Sequence, residues 1–373
     1  MIDDHVHPFP LTFEPLDLAG FSLDVAGGEE ADRRRLKLEP SRLYTEMLRV
    51  RLARHLGCAP ADAVTVRDEV ARRDWTGYVR GLFADSGTTG MLMDAGWQGL
   101  PPGGAQRFAD AAGVAVWELA RLEPVIDRLL GEERGAQEIL DAADLFMATA
   151  VDDGAVGFKT VLAYRTGLAV DADVSLERAA RELAADRAAG TPVRRCGKAL
   201  RDLLFMRVLA RCADLDRPLQ VHTGYGDSEI RLAESDPLLL EEALRTPAGS
   251  SADVVLIHAS FPWHEQAGYL ASVRPHVWTE LSLCNLFSPA TTADRLLRLL
   301  DVAPAGRITL GSDGHGAPES HWFGSSVVRE GWHTVRERLD GAVSDSWLDE
   351  AGERLFLTNA CELYRLPGTG PPS

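Results

Sequence analysis

Positive charge is scarce in this chain. Its 373 residues carry 39 Lys and Arg against 56 Asp and Glu, a formal net charge of −17. The richest basic run, Arg33-Arg-Arg-Leu-Lys37, is interleaved with Glu29, Glu30, Asp32 and Glu39. It reads as a solvated helix face, and the balance argues against nucleic acid and anionic membrane as partners. Cysteine is also sparse. Cys58, Cys196, Cys212, Cys284 and Cys361 are scattered, odd in number and lack any Cys-x-x-Cys, which excludes a disulfide framework or a zinc ribbon and fits reduced thiols. No apolar run approaches the roughly 18 residues of a membrane helix. The first residues, Met1-Ile-Asp-Asp4, are acidic where a signal peptide is basic. A soluble, cytoplasmic protein is the expectation.

What is present alternates. Ile2 to His7 forms a short first strand, ended by Pro8 and Pro10. Residues 11–85 carry apolar residues at helical spacing (Leu43, Met47, Val50, Leu52, Leu56) among charges, as a helical insertion expected to cap a barrel mouth. From Thr88 strands recur: Thr89–Ala95, Val114–Leu119, Ala155–Val161, Pro218–Thr223, Val254–His258, Val277–Ser282 and Arg307–Ser312. A helix is predicted over Pro124–Ala150, two near 174–189 and 196–214, and others near 236–245, 263–273, 290–301 and 318–338. Residues 344–366 read as an amphipathic helix pair. Eight strands with helical or loop crossovers predict an α/β fold, a (β/α)8 TIM-like barrel over 1–373 with the 11–85 insertion inside it. An open doubly wound sheet is disfavoured, since no Gly-x-Gly-x-x-Gly follows the first strand.

Strands of a parallel barrel are buried on both faces, so polar residues at their C-terminal tips are informative. These are His5 and His7 on strand one, Lys159 on four, His222 on five, His258 on six and Asp313, after Gly311-Ser312, on eight. Each alone has a bland reading: a hydrogen-bonded core histidine, a salt bridge from Lys159 to Asp94 or Glu118, a helix cap at Asp313. Together, imidazole nitrogens and a carboxylate at one rim match the ligand set of zinc, iron or manganese.

The ordered set His5-Val-His7, His222, His258 and Asp313 resembles the amidohydrolase superfamily, in its amidohydrolase-related branch. Val156-Gly-Phe-Lys-Thr-Val-Leu-Ala-Tyr-Arg-Thr-Gly167 and His222-Thr-Gly-Tyr-Gly-Asp227 are similar to the FluG/nodulin-type amidohydrolase domain, as is Asn359-Ala-Cys-Glu-Leu-Tyr364. The resemblance implies that His5, His7 and His222 ligate a divalent metal, with Asp313 a ligand or general base. His258 would bind a second metal or polarise the substrate. Lys159 would bridge two metals as a carbamate or act as a substrate-binding cation. One ion is favoured over two, Zn2+ over Mn2+ or Fe2+. The implied activity is hydrolysis of a C–N bond by a metal-activated water, on a small amide such as a gamma-glutamyl or amino-acid amide.

Arg165 could clamp a substrate carboxylate or form a surface salt bridge. Trp97, Tyr225, Trp263 and His315 sit on rim loops as pocket candidates. Three rivals stand beside hydrolysis: a metal-dependent decarboxylase, a catalytically idle scaffold barrel and, last, a hexuronate isomerase. The expected partners are a small-molecule substrate and a second copy in a homodimer.

Overall fold

A computed structural model describes residues 1–23, 28–96, 100–101 and 103–366. Its eight strands are β1 (Ile2–Val6), β2 (Gly90–Asp94), β3 (Ala115–Arg121), β4 (Gly157–Thr160), β5 (Leu219–His222), β6 (Val254–Ile257), β7 (Val277–Leu281) and β8 (Ile308–Leu310). They form one parallel sheet in sequential order, β1 to β8. All residues of every strand except β3 are buried, as strands covered on both faces must be.

The sheet curls until its ends meet. Asp313 N–H donates to the His5 carbonyl at 2.9 Å, and His7 N–H donates to the Gly314 carbonyl at 2.7 Å. Ser312 N–H donates to Asp3 Oδ1 at 2.8 Å. This seam brings the two ends of the chain together, and residues 5, 7 and 313 with them. Opposite the rim, Ala360, Leu363 and Tyr364 close the barrel floor against Ile2, Leu92, Val255 and Trp278.

Among the described residues seventeen α-helices surround the strands: α1 (Gly28–Leu38), α2 (Leu43–Leu56), α3 (Ala63–Arg73), α4 (Trp75–Ser86), α5 (Gly104–Ala112), α6 (Glu123–Gly131), α7 (Ala136–Asp152), α8 (Leu176–Ala188), α9 (Lys198–Leu215), α10 (Glu241–Arg245), α11 (Pro247–Ser251), α12 (His264–Val273), α13 (Cys284–Phe287), α14 (Thr292–Val302), α15 (Pro318–Leu339), α16 (Asp345–Glu353) and α17 (Asn359–Tyr364). None of the described helices is long and apolar enough to cross a membrane.

Three departures from the sequence reading have physical causes. The Pro124–Ala150 helix is two, because Glu133 takes a left-handed φ of 57° between α6 and α7. Helix α5 was not foreseen; it is short and starts after the left-handed Gly103. The C-terminal pair, α16 and α17, is joined by a π-helical turn at Arg354–Thr358. The insertion packs against α15 and the rim segments at Leu286 and Ala317, and its Ser22 and Leu23 border the same cavity as His5 and Asp313. Leu48, Leu52, Ala63, Tyr78 and Leu82 pack with Trp322, Phe323 and Val327 of α15. Helix α4 thus serves as the barrel's own crossover between β1 and β2.

Candidate metal centre

Three donors converge at the seam. One ligand atom each from His5, His7 and Asp313 lies within 4.8 Å of the others. His5 Nε2 and His7 Nε2 both stand 3.4 Å from Asp313 Oδ1. That oxygen is buried and has no hydrogen-bond partner, and neither has His5 Nδ1. Asp313 reaches this position with a left-handed φ of 57°, a conformation uncommon outside glycine and costing about 1 kcal/mol or more.

The outer nitrogens fix the rings. His7 Nδ1–H donates to the Asp94 carbonyl at 2.8 Å, so its Nε2 carries the lone pair. His222 Nε2–H donates to the Tyr225 carbonyl at 3.0 Å, which leaves Nδ1 as the lone pair. That lone pair faces His258 Nε2 at 3.1 Å. His258 Nδ1 meets Ser282 Oγ at 2.8 Å, and Ser282 donates to Glu280 Oε2 at 2.7 Å. With Ser282 donating there, its oxygen accepts from His258 Nδ1–H, and His258 Nε2 also presents a lone pair. Two facing lone pairs repel unless an electrophile lies between them. Burial, then the charge of Lys159, holds His5 and His222 well below the usual imidazole range; burial, then His222, does so for His258. All three rings are therefore neutral ligands at pH 7. A nitrogen-rich set with one carboxylate fits a borderline divalent cation, and the outer hydrogen bonds are those that orient metal-binding histidines.

Backbone strain clusters on this rim. His258, Ala259 and Ser260 run at φ of 65°, 47° and 50°, and Leu283 at 32°. Two glycines let the loops close. A Cβ on Gly224 would sit 2.4 Å from the Phe261 carbonyl, and one on Gly226 would sit 2.0 Å from Tyr164 Oη and 3.0 Å from His222 Nε2.

These groups border a cavity of about 370 Å3. Cations from β3 and β4 border the same cavity. Lys159 is 1% exposed, and burial lowers its pKa to about 8 against the opposing pull of Asp94, so it stays charged at neutral pH. Arg121 Nε donates to both Asp94 oxygens at 3.0 Å. Burial alone would raise the Asp94 pKa, but Arg121, His7 and Lys159 outweigh it and hold it at about 2. Tyr164 lies against the His222 ring, with centroids 4.6 Å apart, and its hydroxyl oxygen accepts from Asp227 N–H at 3.0 Å. Burial raises the Tyr164 pKa, so the hydroxyl keeps its proton.

His5, His7, Lys159, His222, His258, Asp313 and His315 all border the cavity. His315 is held by a bond from its Nδ1 to the Asp313 carbonyl at 2.8 Å. Arg165 also reaches the wall but is fully buried, with Nε donating to Asp127 Oδ2 at 2.9 Å. Its ion pair with Asp127 is thus a buried one and not a surface bridge. Tyr225 contributes its carbonyl; its ring packs edge-on against Phe261 at 5.7 Å, away from the described cavity lining. Trp263 caps α12 and also falls outside that lining. Trp97 lies outside the described residues. Sequence reading missed Asp94, Arg121, Tyr164, Glu280 and Ser282. Asp94 and Glu280 are polar residues in the last two positions of buried strands, the same signal that marked Lys159, while Arg121 ends the partly buried β3.

Comparison with known proteins adds the following. A family model described as Amidohydrolase matches residues 2–366. The chain is 33% identical over 235 residues to Protein fluG of Emericella nidulans, a match covering 60% of this chain and 27% of that protein. It thus spans about a quarter of the length of the curated relative it matches. Among solved structures it is similar to a Lactobacillus casei ATCC 334 protein provisionally described as a metal-dependent hydrolase, with TM-score 0.84 and 24% identity over 98% of this chain and 94% of the other. It is also similar to a uronate isomerase from Thermotoga maritima, with TM-score 0.67 and 13% identity over 98% and 94%. At these identities both likenesses bear on the barrel alone.

Proposed function

The chain belongs to the amidohydrolase family, and from that premise we propose that it is a metal-dependent hydrolase cleaving an amide-type C–N bond of a small molecule. The observation that carries this reading is the convergence of His5, His7 and Asp313 at the β8–β1 seam. One divalent ion, Zn2+ in preference to Mn2+ or Fe2+, would be held by these residues with His222 and His258. When bound, such an ion polarises a carbonyl and makes hydroxide available near neutral pH, since it lowers the pKa of water to about 7.

The chain's own groups do the rest. Asp313 Oδ1, free of hydrogen bonds, can take a proton from water and return it to the departing amine nitrogen. The Tyr164 hydroxyl oxygen is engaged by Asp227 N–H, so its hydrogen is available to a carbonyl oxygen of the substrate. Arg121 and Lys159 give the far wall positive charge, which suits a gamma-glutamyl or other amino-acid amide.

The test has two readouts on the purified protein: metal per chain by elemental analysis, and product from a panel of amides and aromatic carboxylates. Bound metal with released ammonia or amine is expected. Carbon dioxide from the carboxylates would replace hydrolysis with decarboxylation. A protein with neither metal nor turnover would overturn the reading.

A further inference from the structure

A second cavity, of about 150 Å3, shares no lining residue with the metal cavity. The two are neighbours along the chain, because Phe21 precedes Ser22 and Gly316 follows His315. The second cavity is bordered by the aromatic side chains of Phe21 and Trp75 and by two acidic residues, Glu14 and Asp17. One cation also borders it, Arg67, which is 1% exposed.

The charge of Arg67 is already answered. Its Nε donates to Glu319, and its Nη1 donates to the Glu14 carbonyl at 2.6 Å and to Asp68 Oδ1 at 2.9 Å. Arg72, over the Phe13 ring at 4.7 Å, adds one more positive charge nearby. Against these two cations stand four carboxylates: Glu319, Asp68 and, exposed at the rim, Glu14 and Asp17. The field in the cavity is therefore negative. Two donors on its wall are nevertheless unused. Arg67 Nη2 makes no hydrogen bond among the described residues, and neither does the buried Nε1–H of Trp75. Unused donors in a negative field are complemented by a cation that also carries a hydrogen-bond acceptor. A carboxylate would be repelled by the field, and a bare metal ion would leave the donors unanswered.

We propose that this cavity is a second binding site, for a small organic ammonium bearing an oxygen, of the amino-alcohol class. The ammonium lies beside the rim carboxylates and the rings of Phe21 and Trp75, since an aromatic ring attracts a cation. The oxygen accepts from Arg67 Nη2. The site does not depend on the hydrolase reading, because none of its residues borders the metal cavity.

The test is calorimetric titration of the whole chain with choline and with ethanolamine, as purified and after EDTA treatment. Each is compared with a neutral molecule of the same shape, 3,3-dimethylbutan-1-ol or propan-1-ol. Each is also compared with a cation whose hydroxyl is replaced by methyl, propyltrimethylammonium or propylammonium. At least one amino alcohol should bind once per chain in both preparations, about ten-fold tighter than its neutral counterpart. It should bind about three-fold tighter than the cation without oxygen. Arg67→Met would strand the buried Glu319 carboxylate, so the oxygen contact is read from these ligands instead of from a variant. The rim carboxylates are exposed and can be neutralised safely. Glu14→Gln should weaken the amino alcohol about three-fold, and Glu14→Gln/Asp17→Asn about ten-fold, with the neutral alcohol unaffected and the melting temperature kept. Asp313→Asn, in the other cavity, should leave the affinity within about two-fold. Equal binding of amino alcohol and neutral counterpart, indifference to the hydroxyl, or no saturable binding overturns the proposal. So does an unchanged affinity in the folded double variant. Loss of binding on EDTA treatment or in Asp313→Asn would place the cation in the metal cavity and also overturn it.

Discussion

The two walls of the cavity are incomplete in opposite senses. On the wall built by β1, β5, β6 and the end of β8, imidazoles and one carboxylate turn lone pairs inward while carbonyls and a hydroxyl hold their outer edges. That wall offers its donors to a cation. On the wall built by β3 and β4, the guanidinium groups are already matched by Asp94 and Asp127, and the ammonium of Lys159 is not. That wall is the more cationic of the two. On the reading proposed above the difference teaches where specificity would reside: one side would hold a metal common to many chemistries, while the other would select what is brought to it. Function in such barrels is set by rim residues, and here the two halves of the rim are separately testable.

The largest effect should come from the first wall. Asp313→Asn preserves shape and removes the proton acceptor, so turnover of the amide found by screening should fall about 1,000-fold while elemental analysis still finds metal. Full activity in that variant would show that both walls merely bind. On the second wall, Asp94→Asn leaves the Arg121 guanidinium buried without its anion and should lower unfolding free energy by about 3 kcal/mol in urea titrations. The same pair sets an acid limit. Asp94 has a folded pKa of about 2 against an ordinary 3.8. Its contribution is fully present above pH 3.8 and is lost as pH falls through about 2. The parent should thus lose about 2 kcal/mol across that window from this group, and Asp94→Asn should not.

How much of this was legible beforehand follows from burial. All eight strands could be located, because a strand covered on both faces is a continuous apolar run whatever surrounds it. Six of the polar tips stood out against those runs. Arg121 did not, because strand three was ended at Leu119 and the structure carries β3 two residues further. Tyr164 lies in a 3-10 turn, Leu162–Tyr164, where no periodicity marks a side chain as inward. Arg165 was visible, but its partner Asp127 lies 38 residues away on α6, and no local pattern reports a pairing of that range. The insertion was recognised by helical spacing, yet spacing cannot say which surface a helix will cover. Its placement against α15 depends on partners such as Glu319, whose carboxylate binds Arg67 of α3 and, at 2.7 Å, the Tyr78 hydroxyl of α4.

A smaller effect tests where the walls meet. Tyr164 leans on His222 only because Gly226 has no side chain, since a Cβ there would approach Tyr164 Oη to 2.0 Å. Gly226→Ala should cost about 1–2 kcal/mol by overpacking and should weaken substrate binding as Tyr164 is displaced. The double variant Gly226→Ala/Tyr164→Phe removes the obstructing oxygen and should regain most of the stability without regaining binding. If stability stays low in the double variant, the remaining clash lies with Tyr164 Cζ at 2.9 Å and His222 Nε2 at 3.0 Å, which the Phe substitution leaves in place.

The smallest effect is expected at the mouth, where Arg194 Nη2 meets Glu229 Oε2 at 2.6 Å. The pairing is chemically that of Arg121 with Asp94, but the side chains are 46% and 48% exposed against 13% and 0%. Water solvates both partners almost as well apart as together, and mobile ions screen what remains. Glu229→Gln should therefore change unfolding free energy by less than about 1 kcal/mol, with the difference vanishing in 1 M salt, where the screening length is about 3 Å. Asp94→Asn should keep its penalty at the same salt, because the Arg121 pair is enclosed by protein. If the two variants respond alike to salt, the second wall is wetter than its burial indicates.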